Sequence, residues 1–328
     1  MRIFVKNIII VLIVFISQKL DAQQLPLYTQ YMNNGFLVNP SMAGYDGYTS
    51  FNMTYRKQWV GFPNSPTTYS LSGQTRLLKQ TYHIRKRNVK YNVVKPATKG
   101  RVGLGGFVFN DINGHVSRTG IQFSYAYHIF LQKSQLSFGI AGQAFQYKIN
   151  ESELVFGNDN TDPIKNNGLN TVAFIPDASA GFFWSGKDFF LGISANQMFQ
   201  SQLKLGSSDL GNLKLFRHYY LMAGYKFEIS KDFAIEPSTL VKTSENLLPQ
   251  ADISMKVIYK EDYWTGLSYR TSGSAAAMFG MKINQFYFGY AYEYSLSNIH
   301  KYSFGSHEIF LSVKFGSSAR RYRWTNRY

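Results

Sequence analysis

Side chains that change character at every second residue recur along almost the whole chain, and only an extended strand places residues i, i+2 and i+4 on one face. Ile121, Phe123, Tyr125, Tyr127 and Ile129 alternate with Gln122, Ser124, Ala126 and His128. Tyr219, Leu221, Ala223, Tyr225, Phe227 and Ile229 alternate with His218, Tyr220, Met222, Gly224, Lys226 and Glu228, and Ala251, Ile253, Met255, Val257 and Tyr259 with Asp252, Ser254 and Lys256. Phe286, Phe288, Tyr290 and Tyr292 continue the pattern, and Ile309, Leu311, Val313 and Phe315 close it opposite Glu308, Ser312 and Lys314. A helix cannot use that period, so the fold class is all-β.

Fourteen candidate strands follow, near residues 48–59, 67–78, 102–109, 120–131, 135–149, 177–184, 188–197, 216–229, 233–243, 250–259, 263–270, 274–281, 285–294 and 307–315. An even number is what a bacterial single-chain membrane barrel requires. The start of the chain points to such a barrel. Met1–Asn7 is short and basic, residues 8–17 are apolar, and Ala22 follows, the order of a signal peptide cleaved after residue 22. The apolar run is shorter than the roughly 20 residues of a spanning helix, and no later stretch reaches that length, so any membrane span must be β. Aromatic residues make up 17% of the chain and cysteine is absent, which excludes disulfides, thiolate chemistry and a lipid anchor through Cys. These features predict an integral outer-membrane protein of a Gram-negative bacterium, exported through an N-terminal signal peptide.

Removing Arg2, Lys6, Lys19 and Asp21 lowers the formal net charge only from +16 to +14. Nucleic acid is excluded as a partner because the chain is exported and its basic residues gather at 76–101 and 314–327, away from any recognition helix. Connection lengths give a separate test of the barrel, since periplasmic turns are short and external loops longer. The turns at 132–134, 185–187, 230–232 and 260–262 follow even-numbered strands. Residues 110–119, 150–176, 198–215, 244–249 and 295–306 follow odd-numbered ones and are expected to be loops. One connection breaks the rule: residues 79–100 follow an even strand, yet are long and carry Arg85, Lys86, Arg87, Lys90, Lys95 and Lys99. That stretch is either a solvated loop or a docking site for an acidic partner, with the basic 316–328 tail on the same side.

A barrel of fourteen strands has an intermediate bore, which bulky side chains, a plug or a ligand must fill. Residues 23–47 precede the first strand and are rich in turn formers, so they are expected to fold inward or across the periplasmic mouth as a plug-like segment. The chain thus divides into a signal peptide (1–22), an N-terminal periplasmic or lumenal segment (23–47), a barrel (48–315) and a basic tail (316–328).

In and after that segment stand Gln30-Tyr31-Met32-Asn33-Asn34, Asn39-Pro40-Ser41-Met42-Ala43-Gly44, Tyr55-Arg56-Lys57-Gln58-Trp59 and Pro66-Thr67-Thr68. Together they resemble the opening signature of the PorP/SprF proteins of the type IX secretion system. The resemblance implies an outer-membrane barrel that works with the type IX machinery, supporting secretion or surface attachment of a cargo protein with a C-terminal sorting domain, often a gliding-motility adhesin. Carried over residue by residue, Gln30, Tyr31, Asn34, Asn39, Pro40, Gly44, Arg56 and Trp59 are structural or partner-binding. Physically, Pro40 fixes its own φ, Asn39 is pushed toward extended geometry, and Gly44 permits a tight exit. Arg56 and Trp59 are placed in the first strand, an odd number of positions apart, so regular pleating sends one inward and the other outward.

No chemistry competes with this reading. The six histidines, at 83, 115, 128, 218, 300 and 307, lack metal-ligand spacing. His128 and His218 fall on lumen-facing positions, where polar residues are ordinary. Gly181–Lys187 matches most of a phosphate-binding loop, but Asp188 stands where a Ser or Thr is needed and two alternating strands flank it, so a hairpin is expected. Gly103-Leu104-Gly105-Gly106 sits inside a strand, where small residues relieve crowding. The expectation is a non-enzymatic barrel without cofactor or metal. A transport channel for hydrophobic small molecules is the alternative, and a hydrolase using His128 or His218 a distant third.

Overall fold

The computed structural model describes residues 28–77, 101–131, 133–149, 173–200, 202–204, 212–245 and 247–316. Fourteen strands close into one antiparallel barrel: β1 (Thr49–Lys57), β2 (Thr67–Leu77), β3 (Val102–Asn113), β4 (Val116–Phe130), β5 (Ser134–Ile149), β6 (Ala173–Gly186), β7 (Phe189–Asn196), β8 (His218–Tyr225, resuming as Phe227–Glu228), β9 (Phe233–Ser244), β10 (Leu247–Tyr259), β11 (Tyr263–Arg270), β12 (Ser274–Ile283), β13 (Phe286–Ser295) and β14 (Ser306–Phe315). Both pieces of β8 pair with β9, so the interruption at Lys226 breaks a strand without ending it. β1 pairs with β2 on one side and β14 on the other, with Arg56 opposite both Thr68 and Glu308. The sheet therefore has no free edge.

The barrel is a soluble protein turned inside out. Phe51, Met53, Leu71, Phe123, Ile140, Ile253 and Leu267 are exposed, while Ser50, Asn52, Thr54, Gln122, Ser124 and Ser254 on the same strands are buried. Alternation with this sense suits lipid outside and a polar interior, and closure satisfies every backbone group that lipid would leave unpaired. The protein is an integral outer-membrane barrel. Thr49 lies opposite Phe315, so β1 begins where β14 ends, at the periplasmic mouth by the usual orientation of bacterial barrels.

Three expectations need correction. Residues 110–119 and 244–249 were expected to be loops, but β3 and β4 pair as far as Asn113 opposite Val116, and β9 reaches β10 with Ser244 opposite Leu247. These strands extend because pairing satisfies backbone groups in water as well as in lipid, so apolar alternation fades before the ladder does. Second, β1 ends at Lys57, and Trp59 has a left-handed φ of 48° in the following turn, so pleating says nothing about its side chain. Third, the connection between β7 and β8 contains a small hairpin of its own, Gln202–Lys204 paired with Asn212–Lys214. The signal peptide, the basic residues Arg85–Lys99 and residues 317–328 lie outside the described residues.

Candidate functional site

Residues 28–48 run through the barrel interior, and their own chemistry folds them tightly. The Asn39 side chain accepts hydrogen bonds from the Ser41 backbone N–H (3.0 Å) and hydroxyl (2.6 Å), capping the 3-10 turn Pro40–Met42. Gly44 has φ +63°, and a Cβ there would lie 2.6 Å from the Thr75 carbonyl oxygen, so both conformation and space call for glycine. With its backbone so engaged, the segment meets the inner wall through single polar contacts. Asn39 Nδ2 donates to the Phe182 carbonyl (3.0 Å) and Asn34 Nδ2 to Ser72 Oγ (3.3 Å). The Ser194 hydroxyl donates to the Val38 carbonyl (2.8 Å), and Arg76 Nε to that of Gly44 (2.8 Å). Tyr31 shares a hydrogen bond with Ser238 (3.2 Å), and burial pushes its phenol up to about 12, so it remains a neutral hydroxyl.

Glycines cut recesses in the wall for this chain. A Cβ on Gly103 would overlap the Ala43 carbonyl oxygen, one on Gly139 the Ser41 backbone, one on Gly181 the Asn39 side chain, and one on Gly289 the Gln30 side chain. On Gly105 it would meet the Phe36 ring at 2.6 Å. Thus Gly103 and Gly105 do relieve crowding, with the inner segment as the crowding body.

One side of the lumen is held by charge. Arg56, only 1% exposed, bonds Glu293 (2.9 Å) and Glu308 (3.2 Å), and Arg270 bonds Asp252 (2.9 Å) and Glu293 (2.9 Å). The network grips the segment directly. Glu308 accepts the backbone N–H groups of Thr29 (2.7 Å) and Gln30 (2.8 Å), and the Thr29 hydroxyl accepts from Arg56 (2.6 Å) while donating to Glu293 (2.9 Å). Nearer the periplasmic mouth, Lys256 pairs with Glu236 (3.4 Å) and Lys314 with Asp46 (3.0 Å).

The opposite side is aromatic. Phe109, Phe145, Ile175 and Leu215 form a buried cluster, with Phe107 and Tyr147 packed on it. Against it a cavity of about 60 Å³ lies above Tyr28, Tyr31 and Val38, with Arg118, Gln143, Tyr220 and Lys242 in its walls.

The structure brings Gln30, Tyr31, Asn34, Asn39, Pro40, Gly44 and Arg56 together in the lumen, all buried save Trp59, whose backbone N–H takes Ser306 Oγ (3.2 Å) in the turn beyond β1. His128 sits between Ser137 Oγ (2.8 Å) and the Ala43 carbonyl (3.0 Å), and His218 beside Gln197 Oε1 (2.9 Å), both in structural roles. Gly186 ends β6 and Phe189 starts β7, the hairpin expected there. Among the described residues no cluster of three His, Asp or Glu could hold a metal. Sequence reasoning missed Arg118, Lys242, Asp252, Arg270, Glu293 and, as a site residue, Glu308. Their signal was a lone charge on the inward register of a strand: Arg118 continues the series Gly120, Gln122, Ser124, Ala126, His128.

Over residues 20–313 the chain matches the family described as type IX secretion system membrane protein PorP/SprF. No curated protein sequence matches it. Similar solved structures include the toluene transporter TbuX of Ralstonia pickettii, 10% identical, covering 85% of this chain and 92% of that one with a TM-score of 0.45. The CymD monoaromatic hydrocarbon channel is 14% identical over 88% and 92% (TM-score 0.47), and the outer membrane protein Omp33 of Acinetobacter baumannii 8% identical over 83% and 100% (TM-score 0.41).

Proposed function

The chain belongs to the PorP/SprF family of type IX secretion system membrane proteins, and from that premise we propose that it is a non-enzymatic barrel supporting secretion or surface attachment of a cargo protein by protein–protein contact. The cargo would be of the gliding-adhesin type and bear a C-terminal sorting domain. The observation that carries the reading is the occupied lumen: buried residues from Thr29 to Gly44 touch strands on every side, where a conduit needs clear bore. In this proposal the N-terminal segment is a plug, and partners are engaged from outside the lumen. The basic stretch with Arg85, Lys86, Arg87, Lys90, Lys95 and Lys99 is proposed as the periplasmic docking site for an acidic partner of the secretion machinery.

Solubilising the full-length protein from its native membranes in mild detergent and identifying what co-purifies tests this. Type IX components and one large secreted protein should be recovered, and reversing the six basic charges should lose the machinery while leaving the barrel folded. Recovery of the barrel alone, together with single-channel conductance or uptake of an aromatic hydrocarbon, would replace the proposal with a transport role.

A further inference from the structure

We infer that the cavity beside Arg118 is a binding site for a small organic carboxylate with an apolar body. Arg118 is 7% exposed, yet it forms no ion pair or hydrogen bond with any described residue, and its Nε is buried without an acceptor. Its guanidinium lies between two rings instead, 5.0 Å from the centre of Phe109 and 4.5 Å from that of Phe145. Aromatic faces orient a guanidinium and lessen its desolvation, but they accept none of its N–H groups. The carboxylate directly opposite on β3, Asp111, takes its hydrogen bond from the Thr68 hydroxyl (2.6 Å). Asp177 Oδ1 takes the backbone N–H groups of Ala178 (2.7 Å) and Phe199 (3.0 Å). Asp252, in the cavity wall, is held by both arms of Arg270. The other buried arginines described in the lumen each bond directly to acceptors: Arg56 and Arg270 to carboxylates, Arg76 to Gly44, Tyr45 and Gln135, although Arg56 Nε, like Arg118 Nε, meets no acceptor.

Asp111 and Asp177 act on Arg118 through space without bonding it, so its charge is offset at a distance while its N–H groups stay open to an anion. Other wall groups agree. Gln143 Nε2 is a second buried donor without an acceptor among the described residues, the Lys242 amine stands in the same wall as a further donor, and Tyr28, Tyr220, Phe107 and Phe109 supply apolar surface. About 60 Å³ of room is several times the roughly 10–15 Å³ that admits one water, which suits a carboxylate on a small body. A planar guanidinium grips such a group with two parallel N–H···O bonds. The site lies on the side of the N-terminal segment away from the periplasmic mouth, since Arg118, Lys242 and Gln143 all stand toward the strand ends opposite Thr49 and Phe315. It is independent of the proposed role in secretion.

The test is equilibrium binding of benzoate to the purified full-length protein in detergent, read by ligand-observed NMR, with benzyl alcohol as the neutral isostere and inorganic phosphate as the competing anion. Benzoate is expected to bind at least tenfold more tightly than benzyl alcohol, and Arg118→Met to weaken it at least tenfold with barrel mobility on a gel unchanged. If Arg118→Met does not assemble, Lys242→Met on the facing wall should still weaken benzoate severalfold. Benzoate binding that equals benzyl alcohol, or that survives both substitutions, overturns the inference, and so does preference for phosphate.

Discussion

Arg56 and Arg118 are buried in the same lumen to nearly the same degree, yet one is bonded by two carboxylates and a hydroxyl while the other lies against two aromatic rings with no described carboxylate bonded to it. The contrast separates two uses of a buried charge. On the Arg56 side the charges are matched within the chain and fasten residues 29 and 30 to β1, β13 and β14, so the pairing is architecture. On the Arg118 side the match is incomplete, which makes that wall receptive.

The sharpest way to break this contrast is Arg56→Met, which leaves Glu308 and Glu293 short of their shared cation. Removing one partner of a buried pair should destabilise the barrel by about 3–5 kcal/mol, seen as a lower urea midpoint in detergent and as new protease cleavage within residues 28–47. Second in size is the fit of the segment against the wall. Gly139→Ala should cost about 1–3 kcal/mol through overpacking, whereas Gly142→Ala, whose Cβ meets nothing within 4 Å, should be neutral by the same midpoint. Next, Asn39→Ala removes the cap of Pro40–Met42 and the bond to Phe182, and a loss of about 1–2 kcal/mol is expected. Smallest is Arg118→Met, which strands no ion-paired carboxylate and should shift stability by less than about 1 kcal/mol in either direction. A large loss there would make Arg118 architectural too and erase the difference between the two walls.

The strands were legible in sequence because a period of two is a geometric necessity of the pleat, and lipid makes the alternation coarse enough to read. The hairpins through 110–119 and 244–249 were not, because Asn110, Asp111, Asn113 and Ser117 are polar on both faces, as a loop would be, and only pairing with a neighbour reveals the strand. The motif residues Gln30, Asn39, Pro40 and Gly44 were visible by resemblance, while their reason was hidden: Gln30, Asn39 and Pro40 fit partners more than a hundred residues away or recesses made by glycine, as with Asn39 and Gly181, and Gly44 closes against Thr75 on β2. Arg118 illustrates the remaining limit. It is a single charge near a turn until the inward series from Gly120 to His128 is extended two residues back.

Thr29 and Glu308 are bonded across 279 positions of chain, and Arg56 and Glu308, which share Thr29, face each other across the seam where the first and last strands meet. The register of that seam and the seat of the N-terminal stretch are therefore tied by one set of bonds, so that a slip of either strand would pull Glu308 away from the two N–H groups it holds. The two ends of the barrel wall and the start of the described chain thus share a single clasp, with Thr29 as its pin.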